Sequence, residues 1–61
     1  MNKELLETIQ NLSEEFNVYG VINFNTPLNA EEIVAEFSDQ DGGEVSDEFY
    51  DAVVEALNEA A

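Results

Sequence analysis

The stretch DQDGGEVSDEF, residues 39–49, contains the residue types of a calcium-binding loop. Acidic side chains come first, two glycines follow, and more acidic side chains come next. Carboxylate oxygens are the ligands that Ca²⁺ prefers in proteins. An EF-hand loop has about twelve residues, with oxygen ligands near its start, a glycine at the sixth position and a bidentate glutamate at the last.

Neither register of this stretch supplies that ligand set. When the loop begins at Asp39, Glu44 replaces the glycine and Tyr50 replaces the final glutamate. When it begins at Ser38, the glycine is in place but Phe49 replaces the glutamate. We therefore expect no calcium site here, and we interpret the stretch as a glycine turn followed by a capped helix.

The residue types needed for other kinds of site are either absent or not arranged in a recognisable pattern. Cysteine and histidine are absent, so the chain lacks disulfides, the most frequent zinc ligand and the most frequent general base. Pairs of carboxylates can act as acid and base, but 61 residues with acidic side chains almost everywhere cannot enclose a substrate cleft. We expect a protein that is not an enzyme and that has no metal or other cofactor.

Three segments have the apolar spacing of helices. The first predicts a helix over residues 3–16 with Asn2 as its N-cap, and the second a helix over 30–37 after Asn29. The third follows Ser46 and continues towards the end of the sequence. Each cap is a residue type whose side-chain oxygen can accept a hydrogen bond from the first helical turn.

Between the first two helices, residues 18–24 are rich in β-branched and aromatic side chains, and Ile22 and Phe24 alternate with Asn23 and Asn25, as in a strand. A lone strand cannot satisfy its backbone. This segment must pair near residues 44–46, pair across a dimer or with a bound protein, or be an extended connector. The sequence thus predicts one mainly α domain over residues 1–61, with three helices and one short extended or β segment near 18–24 (α+β if that segment pairs). Its predicted core is Leu5, Ile9, Leu12, Phe16, Ile22, Phe24, Ile33, Phe37, Phe49, Val53 and Leu57.

The charge is the most unusual property of the sequence. The chain has fifteen acidic residues and one basic residue, which gives a net charge of −14. The 44% hydrophobic content, with four Phe and two Tyr, argues against disorder. A surface this negative repels nucleic acids and anionic membranes, and it attracts a basic surface on another protein. The sequence also has neither an apolar run near the roughly 20 residues of a membrane span nor a signal-peptide core. The absence of cysteine fits a cytosolic protein, so we expect a cytoplasmic location.

Carboxylates follow one face of the last predicted helix. Asp51–Glu55 and Glu55–Glu59 are like-charged pairs one turn apart, which destabilise an isolated helix. Adaptation to high salt also produces acidic surfaces, but seven Asn and several large apolar residues fit that explanation less well. The alternative is that the row faces a partner: its carboxylates repeat about every 5–6 Å, on the same order as DNA phosphates. The predicted partner-binding residues are Glu48, Asp51, Glu55 and Glu59 on this helix, together with Asp39, Asp41, Glu44 and Asp47 from the neighbouring loop.

In size, acidity and lack of catalytic motifs, the whole chain resembles the phage-encoded DNA-mimic inhibitors, which are the anti-CRISPR and anti-restriction proteins. The resemblance implies a non-catalytic inhibitor that acts in the cytoplasm of a bacterial host cell. Its partner would be the basic surface of a nucleic-acid-binding defence complex, and it would act as a monomer or homodimer. An acidic protein–protein adaptor or antitoxin-like module without DNA mimicry is the alternative interpretation.

Overall fold

Three α-helices make up the structure, a computed structural model that describes residues 1–60. They are α1 (Lys3–Glu15), α2 (Ala30–Asp41) and α3 (Asp47–Ala60). α3 packs against both α1 and α2, so it is the element that the other two share. This part of the chain contains no strand, and the predicted mainly α fold is confirmed. None of its helices combines the length and the apolar character needed to cross a membrane.

A side-chain oxygen caps the start of each helix. Asn2 Oδ1 accepts a hydrogen bond from the backbone N–H three residues later at 2.8 Å. Asn29 Oδ1 accepts one from the N–H two residues later at 2.9 Å, and Ser46 Oγ one from the N–H three residues later at 3.2 Å. The first N–H groups of a helix have no partner within it, so each cap stabilises the helix by about 1 kcal/mol. The three predicted N-caps are confirmed.

The helix ends differ from the prediction, most of all in α2. α1 ends one residue early, where Asn17 adopts a positive φ of 57° and the N–H of Val18 bonds back to the C=O of Ser13 at 2.8 Å. α2 continues one turn beyond its predicted end at residue 37 and stops at Asp41. Gly42 caps α2 with φ 84°, a conformation that glycine adopts without a Cβ penalty. The helix therefore ends at the glycine pair rather than at the polar residues before it.

The core lies where α3 meets the other two helices. The ring of Phe49 packs edge-on against Phe37, with centroids 5.4 Å apart, and tilts against Phe16 at 5.8 Å. Leu12 and Leu57, which were predicted to be buried, lie half-buried against this cluster. The buried apolar residues are Leu5, Ile9, Ile22, Ile33, Phe37, Phe49, Val53 and Ala56.

Two predicted core residues are exposed. Phe16 is 37% exposed because it ends α1, and Phe24 is 57% exposed. The prediction placed Phe24 beside Ile22 on one strand face. A turn intervenes, with the N–H of Thr26 bonded to the C=O of Asn23 at 3.1 Å. Because the chain changes direction there, Thr26 is buried and Phe24 faces solvent.

Two glutamine side chains take the place of a strand partner for the segment that joins α1 to α2. Gln40 accepts from the N–H of Val21 at 3.0 Å and donates to the C=O of the same residue at 2.8 Å. From the other side, Gln10 donates to the C=O of Gly20 at 2.8 Å and accepts from the N–H of Ile22 at 3.3 Å. Of the arrangements that the sequence left open, this segment is thus the extended connector.

Gly20 lets the connector lie close to the core. Its φ is 151°, and a Cβ at this position would lie 2.8 Å from a ring carbon of Phe37. The residues on either side of Gly20, Tyr19 and Val21, are exposed, whereas the next residue, Ile22, is buried. The connector therefore seals one side of the core by its backbone and by one isoleucine.

Replacing Gln10 by alanine is expected to lower the free energy of unfolding by about 1–3 kcal/mol, because it leaves two backbone groups of the connector without their partner. Urea unfolding followed by circular dichroism measures this change. Asn11→Ala is the matched control, since Asn11 is the next residue and is exposed, and about 0.5 kcal/mol or less is expected there. Equal losses in the two variants would show that the Gln10 bridge contributes nothing.

Candidate functional site

The exposed side of α3 is acidic along its whole length. At about 100° per residue, its carboxylates fall within an arc of roughly 120°. The buried residues Phe49, Val53 and Ala56 lie on the opposite side. Packing of that side against α1 and α2 holds the acidic side towards solvent. The exposed acidic residues, named together here as the α3 row, are Asp47, Glu48, Asp51, Glu55 and Glu59.

The α3 row is long relative to the molecule. Its two ends are twelve positions apart, which corresponds to about 18 Å along a helix axis. The longest extent of the whole molecule is 28 Å. Asp51, Glu55 and Glu59 are successive neighbours one turn apart, each about 6 Å further along the axis. The helix thus presents a regular row of negative charge that turns by about 40° around the axis at each of these steps.

Of the four partner-binding residues predicted in the neighbouring loop, three lie on helices instead. Asp39 and Asp41 were assigned to a loop, but both lie in the last turn of α2, because that helix continues to the glycine pair. Asp47 was grouped with the same loop and is the first residue of α3. Only Glu44 lies in the connection between the two helices, and it is exposed.

Asp41 has a structural partner and does not join the α3 row. Its carboxylate accepts a hydrogen bond from the backbone N–H of Tyr19 at 2.9 Å, which ties the connector to the end of α2. The carboxylate is therefore turned towards the connector. Asp39 lies on the outer side of α2 instead.

Two further acidic groups were missed as candidates. On α2, Glu32 and Glu36 share the outer side with Asp39, at spacings of four and three residues. On α1, four exposed acidic residues lie away from the buried side. The same helical spacing that revealed the α3 row would have found both groups. The α1 residues are Glu4, Glu7, Glu14 and Glu15.

The protein cannot neutralise this surface by itself. Fifteen acidic residues share a single basic side chain, Lys3, so nearly all the carboxylates are left to solvent ions or to a partner. Within residues 1–60, no three acidic side chains are grouped in a way that could hold a metal ion. What the surface can bind is a basic side chain, through charge-assisted hydrogen bonds.

The melting temperature is expected to rise between about 10 mM and 300 mM monovalent salt, because the screening length falls from roughly 30 Å to under 10 Å. Self-repulsion of so many like charges destabilises the compact state, and screening weakens it. Thermal unfolding followed by circular dichroism measures the effect. A melting temperature that is constant or falls over this range would show that the carboxylates do not repel one another appreciably.

The candidate site is thus a set of exposed acidic helix sides with a regular row on α3. Their positions follow from helical packing, and their charge suits a basic partner. The chain matches no family model, no curated protein and no solved structure.

Proposed function

We propose that this protein is a non-catalytic inhibitor of a bacterial nucleic-acid-binding defence complex, and that it occupies the complex's DNA-binding surface. The α3 row would stand where DNA phosphates bind. The observation that supports this proposal is that the row is uninterrupted by any basic residue and faces solvent along its whole length.

The α3 row destabilises the free protein, and this also supports the proposal. Like charges one turn apart destabilise a helix by roughly 0.2–0.5 kcal/mol per pair. A basic groove relieves that repulsion when it binds the row, just as it does when it binds phosphates. The binding free energy gained in this way depends on charge, so affinity should fall steeply with added salt.

The way α3 is held in the fold also supports the proposal. α3 packs against both other helices and is capped by Ser46. A row held on such a helix needs little ordering when it binds, and less ordering leaves more of the interaction free energy for affinity.

A competition experiment tests the proposal. Labelled cognate DNA is bound to purified DNA-binding defence complexes, both CRISPR complexes and restriction enzymes, and the protein is titrated in at several salt concentrations. Displacement of the DNA from at least one complex, weakened by salt, is the expected result. A complex that binds the protein while its DNA stays bound would rule out mimicry for that target.

A protein–protein adaptor is the second candidate function, and exposed apolar side chains around the connector favour it. Tyr19 is 74% exposed, Val21 68% and Leu28 59%. A phosphate mimic has no need of these side chains, whereas aromatic and aliphatic side chains often anchor protein partners. In the adaptor function, DNA stays bound, and replacing Tyr19 and Val21 by serine weakens the complex more than reversing charges on α3.

A further inference from the structure

An open groove of about 490 Å³ lies between α2 and the start of α3. Its floor is apolar: Val34, Val45 and Tyr50 are half-buried there, and Ala35 lies beside them. Ser38 donates to the C=O of Gly43 at 2.6 Å and thereby holds the turn that closes one end of the groove. The groove is thus formed by the packing of two helices and a turn.

Carboxylates stand at the edges of this apolar floor. Glu31 lines the groove from α2, and Glu44 and Asp47 line it from the turn and from α3. All three are exposed. Asp47 is also the first residue of the α3 row, so the groove runs directly beside that row.

We infer that this groove receives a basic amphipathic segment of the protein partner. Lysine and arginine side chains have an aliphatic stem and a cationic head, so they can lie on an apolar floor while reaching carboxylates at its edge. An amphipathic segment adds apolar side chains of its own, as in the helix-in-groove mode of recognition.

The negative charge at the edges of the groove argues against nucleic acid, an acidic peptide or a second copy of this chain as its occupant. Nucleic acid and acidic peptides are repelled by the carboxylates at the edges of the groove. A second copy of this chain would bring another net charge of −14 against them. A basic segment of another protein is the occupant that both the floor and the edges attract.

This inference rests on the proposed function, because it names which part of the partner lies beside the α3 row. It also adds a requirement that mimicry lacks. Phosphate mimicry needs only the negative charges, whereas the groove selects basic segments that also carry an apolar side. Charge and apolar contact can therefore be separated by experiment.

The test uses two synthetic peptides of equal length and equal positive charge. One is a leucine–arginine peptide with leucines on one helical side, and the other has serine in place of each leucine. The native protein is expected to bind the leucine peptide roughly tenfold more tightly, the difference that burial of about one aliphatic side chain produces. Calorimetry at about 0.15 M salt, where exposed charges are screened beyond roughly 8 Å, measures both affinities.

Two single-lysine variants locate the binding. Ala35→Lys places a cationic side chain in the groove, and Asn11→Lys makes the same change of charge on the exposed side of α1. Ala35→Lys should remove most of the tenfold preference for the leucine peptide, and Asn11→Lys should leave it in place. The serine peptide should respond to both variants alike. Amide NMR shifts on adding the leucine peptide should centre on Val34, Val45 and Tyr50.

Equal binding of the two peptides to the native protein would overturn the inference. So would a loss of preference that is the same in the two lysine variants, or NMR shifts centred outside the groove. The DNA-displacement experiment tests the proposed function independently. If DNA stays bound but Ala35→Lys removes the leucine preference, the groove binds a basic segment and DNA mimicry is wrong. If DNA is displaced while the two peptides bind alike, DNA mimicry is supported and the groove inference is wrong.

Discussion

Phe49→Ala is expected to leave much of the protein unfolded at 25 °C. Phe49 is 0% exposed, and its ring contacts the rings of both Phe16 and Phe37. Removing a buried phenylalanine side chain costs about 3–5 kcal/mol. At roughly 0.05–0.15 kcal/mol per residue, a chain of this length has only about 3–9 kcal/mol of stability in total. One substitution therefore removes a large share of that stability.

Urea unfolding of the native protein and of two variants, followed by circular dichroism, measures this effect. Phe24→Ala is the matched control, because it deletes the same side chain from a position that is 57% exposed. A loss of about 1 kcal/mol or less is expected there, as for most exposed positions. Comparable losses in the two variants would contradict the assignment of Phe49 to the core and Phe24 to the surface.

Reversing Asp51, Glu55 and Glu59 together to lysine is expected to abolish DNA displacement by the protein. The change replaces attraction by repulsion along most of the α3 row, and we expect a loss of affinity of at least about 100-fold, or roughly 2.7 kcal/mol. The fold should survive. These positions lie opposite the buried side of α3, and lysine suits the negative end of a helix dipole near Glu59.

The matched control reverses Glu7, Glu14 and Glu15 on α1. Each reversal adds two charge units, so either triple variant has a net charge of −8 instead of −14. A loss of about tenfold or less is expected for the α1 variant, since only the general attraction falls. Equal losses would mean that the total charge matters rather than the α3 row. Full displacement by the folded α3 variant would show that α3 does not replace the DNA.

Local interactions explain what could be predicted from the sequence. The three helices follow from apolar spacing, and their starts at Asn2, Asn29 and Ser46 follow from capping. Both signals act between residues at most four positions apart, so they are visible in a single sequence. The α3 row was predictable for the same reason, because the positions of Asp51, Glu55 and Glu59 on one side depend only on the helical repeat.

The connector and the groove depend on contacts between residues that are far apart in the sequence. The connector is extended and unpaired because side chains from both neighbouring helices bond its backbone: Gln40 of α2 is nineteen positions from Val21, and Gln10 of α1 is twelve from Ile22. No periodic pattern marks a glutamine as the partner of a backbone segment. The same holds for the groove, whose apolar floor exists only because α2 packs beside α3. The sequence by itself determined which helices form and which of their sides are acidic, through local spacing and capping. Only the tertiary structure decided which acidic residues remain free for a partner and where an apolar floor lies beside them, because both depend on how the helices pack.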